Sequence, residues 1–244
     1  MAAILWSAGK ERNTFRTRMA KTTAKSPAIT KNADTSLGEF VQVWLRDAIR
    51  EGHYPPGSRI REAEVAQRLN VSRTPVREAF GRLQADDLLI LTPWRGAQVA
   101  ELDRNQVVEL YAMRRALEGT AAALAAQHAS KAEIELLFDL LELDKNGKGD
   151  TSRHVDLNRQ FHQALYGAAH NRYLLKALNA LGDSLSLLKS TTYEIRGRAA
   201  TAWNQHLTIA NAIKKHDADA AEQAARAHIE FAEQARIKLL FGEP

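Results

Sequence analysis

Two short amphipathic segments joined by three residues are the feature that most constrains the fold of this sequence. The segments span 62–69 (EAEVAQRL) and 73–84 (RTPVREAFGRLQ), and each places its apolar residues on one face. Asn70 is suited to end the first helix in a left-handed conformation. The Ser72 hydroxyl can cap the second helix, and Pro75 falls in its first turn, where a missing N–H costs nothing. This spacing predicts a helix-turn-helix.

The flanking sequence extends the motif to a winged helix-turn-helix domain over residues 35–102. Apolar residues recur at three- and four-residue steps before it, and the string YPPGSR ends that first helix. After it, Leu88–Leu91 and Gln98–Glu101 are typical of two strands joined by a turn at Pro93–Gly96. Three helices followed by a hairpin favour a winged motif over the alternative, a small helical domain with a surface hairpin.

Arg73 and Arg77 stand at the start of the second helix of the motif, where their positive charge opposes the helix dipole. Local stability therefore does not explain them. The first residues of a recognition helix face the bases of the major groove, and arginine can donate two hydrogen bonds to guanine. We expect both arginines to be exposed and to contact double-stranded DNA.

Beyond residue 103 the strand signals vanish and helical periodicity takes over. We predict six helices, at about 105–129, from Ser130 onward, and at 152–169, 172–194, 198–215 and 218–240. The predicted fold is mainly α: an N-terminal winged helix-turn-helix followed by an all-α six-helix bundle domain over 103–240.

Charge and composition define the rest of the chain. The net charge of the chain is +5. Residues 1–33 hold seven basic side chains and one acidic one, so the rest of the chain is close to neutral. We expect residues 1–34 to form a disordered basic tail. The chain has no cysteine, which excludes disulfides and thiolate metal sites. No run approaches the ~18 apolar residues of a membrane span. We therefore expect a cytoplasmic protein without membrane association.

The string LRDAIREGHYPPGSRIREAEVAQRLNVSRTPVREAFGRLQADDLLILTPWRGAQV closely resembles the DNA-binding domain of GntR-family transcriptional regulators. The resemblance implies operator contacts by Arg73, Thr74 and Arg77, and a close approach of Gly96 in the wing to the DNA backbone. Ser72 and Arg95, from the same turn and wing, complete the expected DNA-binding set. The sequence departs from some members of the family at Ala63, where they carry a further arginine.

The C-terminal region resembles the all-helical FCD effector domain of the FadR subgroup through MRRALEGTAAALAA, LNRQFHQALYGAAHN and NQHLTIANAIKKHDADAAEQAARAH. Asn158 and His162 are four residues apart on one helix, and His206 and His228 lie on the last two helices. Three imidazoles and a side-chain oxygen form a plausible site for a divalent ion such as zinc, nickel or manganese, although ordinary packed histidines are the alternative. The resemblance implies an acid where this chain has Asn158, and an effector carboxylate held by Arg114.

These features predict a homodimeric, ligand-responsive regulator, in the usual case a repressor of a catabolic operon, that binds a palindromic operator and senses a sugar acid or another small organic acid. The effector-binding residues are expected to be Arg114, Asn158, His162, His206 and His228. A metal-dependent hydrolase or isomerase is the alternative, but no HExxH pair and no carboxylate base beside the histidines is evident. A purely architectural DNA binder would leave the histidines unexplained.

Overall fold

The computed structural model describes residues 36–92, 96–145 and 150–242, which belong to one compact unit beginning at Ser36. Its elements in chain order are α1 (Leu37–Arg50), β1 (Arg59–Ile60), α2 (Glu62–Leu69), α3 (Arg73–Ala85), β2 (Leu89–Thr92), β3 (Gly96–Val99), α4 (Arg104–His128), α5 (Lys131–Asp144), α6 (Thr151–Ala168), α7 (Arg172–Ser186), a 3₁₀ turn (Thr192–Glu194), α8 (Arg198–Lys214) and α9 (Ala218–Phe241). The expected mainly helical fold is confirmed. The basic tail at 1–34 lies outside the described residues.

The turn between α2 and α3 has the predicted backbone but lacks one predicted hydrogen bond. Asn70 ends α2 in the left-handed conformation, with φ of 52°. Ser72 occupies the N-cap position of α3 in an extended conformation, yet its hydroxyl accepts no hydrogen bond from the helix. The prediction of a hydroxyl cap was therefore wrong, and the Ser72 side chain is exposed.

The wing is a three-stranded antiparallel sheet rather than the predicted two-stranded hairpin. Its order is β1-β3-β2, because Arg59 and Ile60 pair with Gln98 and Ala97 along the free edge of β3. Both hairpin strands are also shifted from the predicted bounds. Leu88, expected to open β2, instead donates its N–H to the Leu83 carbonyl and completes the end of α3.

Two main apolar cores lie in the described part of the chain. The first joins α1, α2, α3 and the sheet through residues such as Leu45, Val65, Val76, Leu83 and Val99. The second lies between α4 and the helices around it, where a run of alanines on α4 allows close approach of its neighbours: Ala121, Ala122, Ala125 and Ala126. No helix within the described residues is long and apolar enough to cross a membrane.

The helix predicted over 172–194 ends at Ser186 instead. Its last apolar residues separate into different cores, since Leu187 packs into the core of the first domain and Leu188 into a smaller cluster with Tyr111 and Ile229. Ser190 then adopts a positive φ of 56°, which a continuing helix does not allow. The segment 187–197 is thus an ordered connection between the two cores.

Polar contacts reinforce this junction. Arg50 Nε donates to Asp183 Oδ1 at 2.7 Å, and Arg46 Nε lies 3.7 Å from Asp183 Oδ2, which ties α1 to the C-terminal half of α7. Lys189 Nζ lies 2.9 Å from Glu101 Oε1. The helix-turn-helix domain is therefore held against α7 and the segment that follows it.

Candidate functional site

The first turn of α3 presents its polar side chains to solvent. Ser72, Arg73, Thr74 and Arg77 are all exposed, while the apolar residues of the helix point into the core. Arg77 Nε donates to Glu62 Oε2 at 2.8 Å, across the turn to α2. Exposed pairs of this kind contribute at most about 1 kcal/mol, so the guanidinium can exchange Glu62 for another acceptor.

The wing residue Gly96 lies beside this surface. It opens β3 with φ of 82°, a conformation that favours glycine, and it is exposed. Gly96 and Arg77 line the same cleft of about 670 Å³, with Glu62, Gln84 and Thr92 among its other residues. The predicted contact residue Arg95 lies outside the described residues.

Three of the predicted ligands meet in the interior of the second domain. His162 on α6, His206 on α8 and His228 on α9 are buried, and each offers a ring nitrogen within 4.8 Å of the others. His206 Nε2 and His228 Nε2 are 3.3 Å apart. Two nitrogens bound to one tetrahedral zinc ion are separated by about 3.4 Å, so this spacing fits a shared metal ion.

Residues around the histidines leave ring-nitrogen lone pairs directed toward the centre of the cluster. Gln205 Oε1 lies 2.9 Å from His228 Nδ1, and an amide oxygen can only accept, so the proton belongs on Nδ1 and the Nε2 lone pair is free. The ring of Phe161 stacks on His206 at 4.3 Å between centroids. Burial, with the charge of nearby groups, lowers the pKa of both His206 and His228 well below the usual range. Both imidazoles are therefore neutral near pH 7, as metal binding requires.

Glu118 on α4 orients the third histidine. Its Oε2 lies 2.9 Å from His162 Nδ1, and its Oε1 accepts from Arg114 Nε at 2.8 Å. Burial raises the pKa of Glu118, but the charges of Arg114 and His162 outweigh it and lower the pKa to about 2. A carboxylate held against Nδ1 leaves Nε2 facing the cluster, the arrangement that metal-binding histidines commonly have.

The sequence shows no carboxylate base beside the histidines, but the structure places the Glu118 carboxylate, from a fourth helix, next to His162. This does not create a general base. A carboxylate with a pKa of about 2 is a weak proton acceptor near neutral pH. Arg114, which the resemblance implies holds an effector carboxylate, pairs with Glu118 in the structure.

Asn158 lies one turn before His162 on α6 and is half-buried. Its Oδ1 accepts a hydrogen bond from the Tyr193 hydroxyl at 3.0 Å. The Tyr193 ring in turn stacks on His154, with centroids 6.2 Å apart. His154 is buried, with its Nδ1 2.6 Å from Asp144 Oδ1.

Sequence reasoning missed several members of this site: Glu118 as the partner of His162, Gln205, Tyr193 and Arg198. Gln205 is next to His206 in sequence, and Glu118 is one turn from Arg114, so both had a local signal. Tyr193 and Arg198 border a loop between helices, where periodicity says nothing about burial. Arg198 is nevertheless only 4% exposed.

Comparison with known proteins matches each of the two domains to a protein family. Residues 37–99 match the family "Bacterial regulatory proteins, gntR family", and residues 109–231 match the FCD domain. The Nta operon transcriptional regulator of Aminobacter aminovorans is 36% identical over 170 residues, which cover 69% of this chain and 80% of that protein. The "Probable D-xylose utilization operon transcriptional repressor" of Paenarthrobacter nicotinovorans is 33% identical over 80% of this chain and 86% of its own length.

Solved structures agree with these matches. E. coli McbR/YncC superposes with a TM-score of 0.72 at 25% identity, over 84% of this chain and 99% of its own. A GntR regulator from Rhodococcus sp. RHA1 has the same fold, with a TM-score of 0.67. The family and these relatives are transcriptional regulators rather than enzymes. The chain therefore belongs to the GntR family of bacterial regulatory proteins and carries an FCD domain.

Proposed function

We propose that the protein is a cytoplasmic homodimer that represses a catabolic operon by binding a palindromic operator, and that a small carboxylate releases it. The domains are a DNA-binding domain over 35–102 and an effector-binding and dimerisation domain over 103–240, preceded by a basic tail. The observation that supports this best is the pairing of an exposed arginine-bearing helix start with a buried histidine cluster in one chain.

The DNA contacts are assigned to the first turn of α3 and to the wing. Arg73 and Arg77 bind guanine, Ser72 and Thr74 bind phosphate, and Gly96 and Arg95 approach the backbone at the wing. Both arginines are exposed, and the packing of α3 uses its other face, so neither side chain is needed for the fold. Bidentate arginine contacts to guanine are worth about 1 to 3 kcal/mol each.

The effector site is assigned to a divalent metal, zinc, nickel or manganese, held by His162, His206 and His228 with the Asn158 amide oxygen. When bound, the ion supplies a Lewis acid with open positions for a carboxylate. Glu118 fixes the orientation of His162, and Gln205 that of His228. Imidazole nitrogens and an amide oxygen bring no negative charge to the ion, so an anionic ligand is favoured over a neutral one.

Metal content of the purified protein tests this assignment. Wild type incubated with zinc, nickel or manganese and then desalted is expected to retain one ion per chain. Asn158→Asp adds a carboxylate, and we expect it to bind the ion more tightly. The matched control is Asn204→Asp, an exposed asparagine on α8 that should leave affinity unchanged. A wild type that retains none of the three metals contradicts the metal assignment.

A further inference from the structure

Arg198, the first residue of α8, is a buried charge without an ion-pair partner in the described part of the chain. The residue is 4% exposed, and its Nε and Nη1 are buried with no hydrogen-bond partner. No carboxylate among the described residues forms an ion pair with it. Burying an unpaired guanidinium is costly, so a folded protein retains one only where something else compensates.

Other buried charged side chains of the second domain each have at least one polar partner. Arg114 pairs with Glu118, and His154 lies against Asp144. Arg236 donates through Nη1 to the carbonyls of residues 189 and 190, at 3.0 and 2.9 Å. Arg198 differs from all of them, because its contacts are with aromatic rings.

Those rings belong to residues that neighbour the histidine cluster along the chain or by hydrogen bonding. Its guanidinium carbon lies 5.7 Å from the Tyr193 ring centre and 5.4 Å from that of Phe231. Phe231 follows His228 by one helical turn on α9, and the Tyr193 hydroxyl binds Asn158. The positive charge is close enough to contribute to the lowered pKa of His206 and His228. The positive end of the α8 dipole lies at the same point.

We propose that Arg198 is the residue that binds the carboxylate of the effector, in place of Arg114, whose charge Glu118 already neutralises. This rests on the proposed function, since it names the anion-binding group of the same effector site. The planar fork of Arg198 would donate hydrogen bonds to both oxygens of one carboxylate, while a further oxygen of the ligand faces the histidines. The effector is then a carboxylate with at least one further hydroxyl or carboxylate group.

The test compares Arg198→Met with Arg159→Met, an exposed arginine on α6, in the full-length zinc-incubated protein. The probes are citrate, succinate and gluconate at millimolar concentration, followed by thermal shift and titration calorimetry. We expect at least one probe to raise the melting temperature of wild type and of Arg159→Met. In Arg198→Met the affinity for that probe should fall about 10- to 100-fold, as expected for a lost charge-assisted hydrogen-bond pair. Arg198→Lys should recover part of it.

The ligand-free proteins separate a binding role from a structural one. Since the charge of Arg198 is uncompensated without a ligand, Arg198→Met should melt at or above the temperature of wild type and retain its zinc. A clear fall in melting temperature, unchanged probe affinity in Arg198→Met, or no probe binding to wild type would each overturn the proposal. Operator binding is measured separately, by selection of DNA sites. If the wild type selects no specific site, the proposed function as a DNA-binding regulator is contradicted, whereas the result with the carboxylate probes still applies to Arg198.

Discussion

Replacing Glu118 by glutamine should destabilise the protein by roughly 3 kcal/mol at pH 7. Glu118 is 1% exposed and contacts both Arg114 and His162. Its pKa is about 2, against the ordinary 4.5, and a tenfold change in acidity is worth about 1.4 kcal/mol. This gives about 3 kcal/mol, in the range of 3 to 5 kcal/mol expected when a buried pair loses one member.

The lowered pKa of Glu118 also predicts the pH range over which this stabilisation is lost. Because the folded pKa is lowered, the stabilisation is complete above pH 4.5 and is lost as the pH falls from there toward 2. Glu133, whose pKa is lowered to about 2 chiefly by its hydrogen bond with His170, titrates in the same window in both proteins. The difference between wild type and Glu118→Gln therefore isolates the Glu118 contribution. It should shrink with acidification.

Urea unfolding followed by circular dichroism, at one protein concentration from pH 7 to pH 3, measures this difference. Glu109→Gln, an exposed position on the same helix, is the matched control and should stay within about 0.5 kcal/mol of wild type. Zinc affinity of Glu118→Gln should also fall about 10- to 100-fold, because the carboxylate orients His162. Glu118→Gln with wild-type stability at pH 7 would refute the reasoning.

Three further predictions concern DNA and metal. Arg73→Ala or Arg77→Ala should weaken operator binding by about 1 to 3 kcal/mol in a gel-shift titration, with an unchanged circular dichroism spectrum; wild-type affinity in both variants would contradict the assignment. A protein starting at Thr35 should bind DNA with a flatter salt dependence and unaltered base preference, measured by titration at several salt concentrations; an altered base preference would instead identify the tail as a minor-groove arm. His206→Ala or His228→Ala should lose zinc by elemental analysis and lose the response to the effector, while the ligand-free protein still binds its operator; full zinc content would rule out these ligands.

Elements of the fold could be predicted where the residues that determine them are adjacent in sequence. The α2–α3 turn depends on Asn70 and its neighbours, and those residues are adjacent in sequence. The strand β1 could not be found the same way, because two residues carry no periodicity and Arg59–Ile60 is a strand only through pairing with β3. The end of α7 was missed because Leu187 and Leu188 continue the helical pattern while packing into different cores.

The same distinction applies to the site. Asn158 and His162 share a helix face by spacing alone, whereas grouping His206 and His228 with them required a helical bundle and was supported by the resemblance to the FCD domain. Glu118 comes from a fourth helix, and no sequence rule pairs it with His162 rather than with Arg114 alone. Arg198 lies against the rings of Tyr193 and Phe231, which are far from each other in the chain.

The position of Leu187 has a consequence for anyone who isolates the DNA-binding half. Leu187 is 3% exposed and completes the core of the helix-turn-helix domain from a point 85 residues beyond its proposed end at Leu102. A fragment ending at 102 would lack that side chain and the Asp183 contacts of Arg46 and Arg50. Removal of a buried leucine side chain costs about 2 to 5 kcal/mol, a large share of the stability of a small domain. The DNA-binding half thus depends on the FCD domain for part of its folding energy, so a structural change in the segment after α7 would alter the packing of the helix-turn-helix core.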